Sequence, residues 1–180
     1  RNNKMNIMQE IKIEKITLNI GIGEAGDRLD KAVSLLQYIS GAKPVKTSTM
    51  KRIPTWSIRP KLNIGTKVTL RGEKAKELLK KLFKANNNKI QEKKFDENGN
   101  FSFGITEYIN IPDMEYQPEI GIIGLEVAVT LERPGFRVKR RRLKRSMIGL
   151  NHKITKEQSI EFIKKMFNIE IVKGEIEDDY

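Results

Sequence analysis

The 180 residues include no cysteine and one histidine, which excludes disulfides, thiolate metal sites and any zinc site built on His152 alone. The formal net charge is +12, and it is gathered rather than spread: residues 41–72 hold eight Lys/Arg and no acid, residues 133–145 hold eight more and no acid, and removing those sixteen leaves the rest of the chain at −4. Two acid-free cationic segments are the electrostatic footprint of a polyanion binder.

In chain order, the first patterned segment is Lys15 to Ile22. Ile16, Leu18, Ile20 and Ile22 share one face, while Lys15, Thr17, Asn19 and Gly21 share the other. Period-two alternation predicts a strand with one wet face. Gly21, Gly23 and Gly26 then match G-x-G-x-x-G between a strand and a helix, the context of a dinucleotide site. Three things count against that reading. No acid stands between Asp30 and Glu73, where a ribose-binding carboxylate belongs. The strand alternates, where a Rossmann first strand is apolar on both faces. No further chain of βαβ units follows. A glycine-rich turn, with amides free to meet a phosphate, is the expectation.

Leu29, Ala32, Val33, Leu36 and Ile39 follow the helical period, with Asp27 as N-cap and Gly41 as stop. A short strand is expected near Val45. Met50 to Pro60 is a proline-stiffened loop holding Lys51, Arg52, Arg59 and the only tryptophan. Trp56 suits stacking on bases, and equally suits a core anchor tucked under the loop. Leu62, Ile64, Val68 and Leu70 form the next apolar stripe, with Asn63, Lys67, Thr69 and Arg71 on its wet side. Ala75, Leu78, Leu79 and Leu82 predict a second helix. Asn86 to Asn100 reads as a loop, and Phe101, Phe103 and Ile105 as a short strand with core-packing aromatics.

The acids Asp96, Glu97, Asp113 and Glu115 show no spacing that would mark a carboxylate pair, and no Ser/His/Asp set is visible. The longest apolar run, Ile120 to Leu131, carries Glu126 and predicts a buried strand rather than a bilayer span. Ile123, Leu125, Val127, Val129 and Leu131 alternate inward. Residues 133–153 begin with Pro134-Gly135 and contain the densest charge, Arg137 to Arg145. Its charges repel, so an arm that orders only against RNA phosphates is expected. His152 reads as a surface histidine. Ile160, Ile163, Met166 and Phe167 predict a last helix, opened by a Thr155/Gln158 capping box.

This order predicts an α+β two-layer sandwich over residues 1–180, a single domain. Its sheet is mostly antiparallel, with helices on one face and an open polar face for RNA.

The strings Lys15-Ile-Thr-Leu-Asn-Ile-Gly-Ile-Gly-Glu-Ala, Gly41-Ala-Lys-Pro, Ile64-Gly-Thr-Lys-Val-Thr-Leu-Arg-Gly and Gly99-Asn-Phe-Ser-Phe-Gly-Ile resemble ribosomal protein five of the large subunit, in order and in spacing. Arg133-Pro-Gly-Phe-Arg, with its basic continuation, resembles the archaeal branch. The resemblance covers about residues 10–170. It implies a cytoplasmic ribosomal protein, not an enzyme, with no cofactor and no membrane partner. It implies binding to 5S rRNA in the central protuberance, beside neighbouring 5S-rRNA-binding ribosomal proteins. It further implies contact with 23S rRNA, a place near the P-site tRNA elbow, and an intersubunit bridge to small-subunit head protein thirteen.

The family's RNA-binding face implies roles for Asn19, Arg59 and Thr69. Parity and charge add Lys67 and Arg71, with Lys43 and Lys46 around the second strand. Ala42 stands where many bacterial relatives have Gln. The tRNA-facing loop corresponds to Lys51, Arg52, Ile53, Pro54, Thr55, Trp56 and Ser57. The rRNA-contacting arm comprises Arg137, Lys139, Arg140, Arg141, Arg142, Lys144 and Arg145.

Overall fold

The computed structural model describes residues 6–172. Its main sheet has five strands: β1 (Lys12–Gly21), β2 (Val45–Ser48), β3 (Asn63–Leu70), β5 (Phe101–Ile105) and β6 (Leu125–Glu132). Their order is β2-β3-β1-β6-β5, and every neighbouring pair is antiparallel. Two further three-residue strands, β4 (Lys89–Gln91) and β7 (Glu170–Val172), pair in parallel. Segments that short show no readable alternation, and β4 falls inside the stretch whose composition reads as a loop. An antiparallel sheet of this order is not a dinucleotide-binding fold, which removes the G-x-G-x-x-G reading.

One sheet face is closed. Ile16, Leu18 and Ile20 of β1, Val68 and Leu70 of β3, and Leu125, Val127, Val129 and Leu131 of β6 are all buried. Helices α1 (Asp27–Ser40) and α2 (Gly72–Ala85) bring Leu29, Ala32, Leu35, Leu36 and Ile39, and Ala75, Leu78, Leu79, Leu82 and Phe83, to the same core. Each fully buried aliphatic side chain contributes about 1.5–3 kcal/mol of burial. Phe83 stacks on Phe101 and Phe103, so the aromatic pair of β5 is core, as its spacing predicts. Phe83 also meets Phe167 of α4 (Lys156–Phe167) edge-on.

Several local expectations shift by a residue. Gly26, not Asp27, is the N-cap of α1, while Gly41 ends that helix in the left-handed conformation at φ 62°. The apolar run Ile120–Leu131 is strand only from Leu125. Gly124 ends the preceding turn so close to Thr106 that a Cβ there would lie 2.7 Å from its carbonyl oxygen. The Thr155/Gln158 capping box forms. Of the predicted stripe of α4, Ile163 is buried and Ile160 and Phe167 pack against the core, whereas Met166 is exposed and Ser159 is buried in addition. Ser159 Oγ donates to the Gly99 carbonyl at 2.6 Å, a polar anchor beside that face. Two amides at the start of the glycine turn are taken, since Ile22 N and Gly23 N both donate to the Ile64 carbonyl. Among the described residues no helix is long and apolar enough to cross a membrane.

Candidate nucleic-acid interface

The second sheet face carries no helix-borne core and stays open. Register decides what it presents, because side chains of paired residues project to the same side. Asn19 pairs with Lys67, and Lys67 in turn with Val45; Thr17 pairs with Thr69. Lys67, Thr69 and Val45 are exposed and Asn19 is half-buried. Asn19, Lys67 and Thr69 therefore lie side by side on the open face, as parity predicts.

Asn19 is also held. Its amide donates to the Glu126 carboxylate at 3.4 Å across the β1–β6 pair. Gly65, two positions before Lys67, is buried: a Cβ there would meet the Ile20 carbonyl at 2.9 Å and Thr47 Oγ1 at 3.0 Å. The β1 backbone and the Thr47 side chain of β2 leave no room for a side chain on β3 at this position.

Lys46 departs from expectation. It pairs with Thr66, a buried residue of the helix-facing side, and its ammonium binds Asp30 of α1 at 2.5 Å. Strand parity puts it behind the sheet from Lys67. Lys43 is exposed in the connection between α1 and β2. Arg71 lies on the open side but donates to Glu14 at 3.2 Å.

The open face is not uniformly basic. Lys15, Lys67 and Arg71 belong to its β3–β1 half. The β6–β5 half presents Glu126, Ala128, Thr130, Glu132, Ser102 and Gly104, with no cation among them. Describing the face as Lys, Thr, Asn and Arg fits only the first half.

The loop between β2 and β3 prolongs that hairpin. Thr49 and Lys61 continue the ladder, Ile53 and Ile58 bridge, and a short 3-10 turn spans Pro54–Trp56. Ile58 is the buried anchor beneath the loop. Trp56 at the tip is 69% exposed, which decides between its two readings in favour of an outward ring. Arg52, Pro54, Ser57, Ile58, Arg59 and Pro60 line an open groove of about 530 Å³. Two guanidinium groups beside a wet aromatic ring provide phosphate forks and a stacking surface at one place. Lys51 and Thr55 are exposed as well.

The second cationic segment is more ordered than charge repulsion suggests. Arg137–Arg140 forms a short helix, α3. Arg140 bonds to Glu14, the carboxylate that also takes Arg71, and to Glu132. Two acids of the sheet thus fasten one cation of the arm, Arg140. They also bring both cationic segments to one place, since Arg71 ends the first and Arg140 lies in the second. Arg141, Arg142, Lys144 and Arg145 follow at the surface, with Arg141 Nε donating to the Lys144 carbonyl at 2.8 Å. His152 is half-buried rather than a plain surface residue. Its ring bonds to the Pro134 carbonyl at 2.9 Å and meets Phe136 edge-on.

Sequence reasoning missed Glu14, Glu132 and Arg133. Nothing in their local pattern distinguishes an acid that tethers an arginine 126 positions away from one that is merely solvated.

Elsewhere, the connection from Thr106 to Gly124 holds Glu107, Asp113, Glu115 and Glu119 and no base. Lys81 of α2 hydrogen-bonds Asp113 at 2.8 Å, which holds that carboxyl below its usual pKa. Tyr116 and Ile122 are exposed along it. Among the described residues no group of His, Asp and Glu is arranged to hold a metal ion.

Both halves of the chain match families of known proteins. A family model described as ribosomal protein L5 matches residues 6–59, and the model for the C-terminus of the same ribosomal family matches residues 63–162. The large ribosomal subunit protein uL5 of Nanoarchaeum equitans is 54% identical over 166 residues, covering 92% of this chain and 98% of that protein. Those of Sulfurisphaera tokodaii (50% identical, 94% and 97% covered) and Methanococcus vannielii (45%, 92% and 93%) are similar over the same extent. By both family models and by near-complete relatives, the chain belongs to the ribosomal protein L5 family of the large ribosomal subunit, structural proteins of the ribosome and not enzymes.

Proposed function

We propose that this protein binds 5S rRNA and helps attach it in the central protuberance, using the β3–β1 half of its open sheet face and the loop between β2 and β3. The row of Asn19, Lys67 and Thr69 on an uncovered face carries this reading. Side chains that hydrogen-bond and cations that pair with phosphate stand together there, without a helix over them. Lys and Arg supply affinity by releasing counterions, and Asn19 and Thr69 set register on a shaped RNA.

The remaining contacts follow from the other surfaces. The exposed Trp56 loop is suited to the elbow of the P-site tRNA. The arm from Arg137 to Arg145 is suited to 23S rRNA, with Arg140 held back by its carboxylates. The base-free connection 106–124 is complementary to a basic protein, as an intersubunit bridge to small-subunit head protein thirteen requires. Neighbouring 5S-rRNA-binding proteins complete the surroundings.

The test is co-sedimentation of the tagged protein with large subunits, joined to titration of 5S rRNA over a salt series. With about six phosphates engaged, log affinity should fall with log salt at a slope of roughly −4 to −5. A salt-independent titration, or equal affinity for unrelated structured RNAs, would overturn the assignment.

A further inference from the structure

The basic arm does not simply leave β6; its two ends are sewn together. Arg133, the last residue before the loop, is buried at 7% exposure. Its Nη1 donates to the carbonyls of His152 at 3.3 Å and Lys153 at 3.2 Å, and its Nη2 to Gln158 Oε1 at 2.8 Å. That Gln158 oxygen also accepts from Thr155 N, closing the capping box of α4. Beside it, Pro134 and His152 are joined at 2.9 Å. One guanidinium thus ties residues 19 to 25 positions apart into a closed neck, from which residues 134–151 project.

This is a costly arrangement. Every acceptor Arg133 uses is neutral, and its Nε has no partner among the described residues. A buried cation held only by carbonyl and amide oxygens is poor evidence for stability as its purpose. It does have a geometric consequence. Beyond the neck, Arg140 is pinned to Glu14 and Glu132, and Ser146 N donates to the Val138 carbonyl at 3.3 Å. The cations Arg141, Arg142, Lys144 and Arg145 therefore stand on a loop closed at its base and fastened at its middle.

We infer that Arg133 is a positioning residue for RNA binding: it closes the neck of the arm so that the arm's cations meet rRNA phosphates already in place. Arg133 cannot touch RNA itself. It acts by removing the loop-ordering cost that a free arm would incur on association. The inference rests on the reading of the arm as an rRNA contact.

The two can be separated by titrating variants of the full chain against 5S rRNA and 23S rRNA transcripts over a salt series. Arg133→Met should bind about tenfold more weakly to the RNA the arm engages, roughly the loss expected when a preorganised segment becomes free. The log–log salt slope should stay the same, because every phosphate-facing cation remains. Arg133→Lys keeps the charge but not the fork, and should fall between. Arg142→Ala and Arg145→Ala should instead each reduce the slope by about one. If those two change neither affinity nor slope on either RNA, the arm is not an rRNA contact and the underlying reading fails. If they act as expected while Arg133→Met binds like the parent, or loses slope as they do, the positioning role is wrong.

Amide hydrogen exchange of the free parent protein gives an answer independent of any variant. Arg141, Ser146 and His152 amides should be protected without RNA, since each donates within the loop. Exchange there at the unstructured rate would overturn the proposal even if Arg133→Met failed to fold.

Discussion

The two halves of the open sheet face share a backbone and differ in what they offer. The β3–β1 half carries Lys15, Lys67 and Arg71 with Asn19 and Thr69; the β6–β5 half carries Glu126 and Glu132 with small neutral residues. The acidic half is not idle. Glu126 holds Asn19, and Glu132 shares Arg140 with Glu14. The cations disposed to meet phosphate lie on one half, and acids of both halves orient them, since Glu14 of β1 takes Arg71 and Arg140. A basic patch is thus specified as much by the carboxylates beside it as by its own cations.

Charge substitutions on the two halves should break this comparison most visibly if it is wrong. Lys67→Glu puts a negative charge in the row with Asn19 and should weaken 5S rRNA binding at least about tenfold, since one like-charge contact costs several kcal/mol. Ala128→Glu, exposed on the other half, should cost less than about threefold. Comparable losses in filter binding would mean that RNA covers the whole face.

Next in size is the loop against the arm. Arg59→Ala should lower 5S rRNA affinity by about tenfold, the value of a lost charged hydrogen bond, and more than Arg141→Ala does. Equal losses would move the 5S site toward the arm. Gly65→Ala should destabilise the fold by about 1–3 kcal/mol, read as a lower Tm, because the added Cβ lies 2.9 Å from a backbone oxygen of β1. An unchanged Tm would show that the three strands can spread there without cost. The smallest effect belongs to Lys46. With its ammonium on Asp30 behind the sheet, Lys46→Ala should leave 5S affinity unchanged and alter stability by no more than about 0.5 kcal/mol. A clear loss of affinity would place Lys46 on the RNA side after all.

Much of the scaffold was legible in the sequence because its strands are half-wet. In β1 and β3 the alternation Ile16/Thr17/Leu18/Asn19 and Val68/Thr69/Leu70 states in one dimension which residues face the core. The four-residue strand β2 is too short for the same logic to warn that Lys46 falls on the helix side. Trp56 could not be decided from composition, since a lone tryptophan suits a core and a stacking surface alike. Only the Ile53–Ile58 bridge, with Ile58 beneath, turns the ring outward. The arm escapes a local reading for a related reason. Eight cations in thirteen residues look unfoldable alone, and the carboxylates that fasten one of them, Arg140, lie in two strands of the sheet.

By itself, the sequence determined the alternation that makes a one-sided sheet, the helical stripes that cover it, the clustering of cations and the family to which the chain is similar. The alternation and the stripes depend on neighbours one to four positions apart, where periodicity is a direct readout of geometry. The tertiary structure decided which cations remain available. Arg71 meets Glu14 across 57 positions, Arg140 meets it across 126, and Arg133 spans 20 to close a loop. Ion pairs and buried hydrogen bonds act over a few ångströms of space regardless of separation along the chain. The availability of a charge is therefore settled only when strands from distant segments come together.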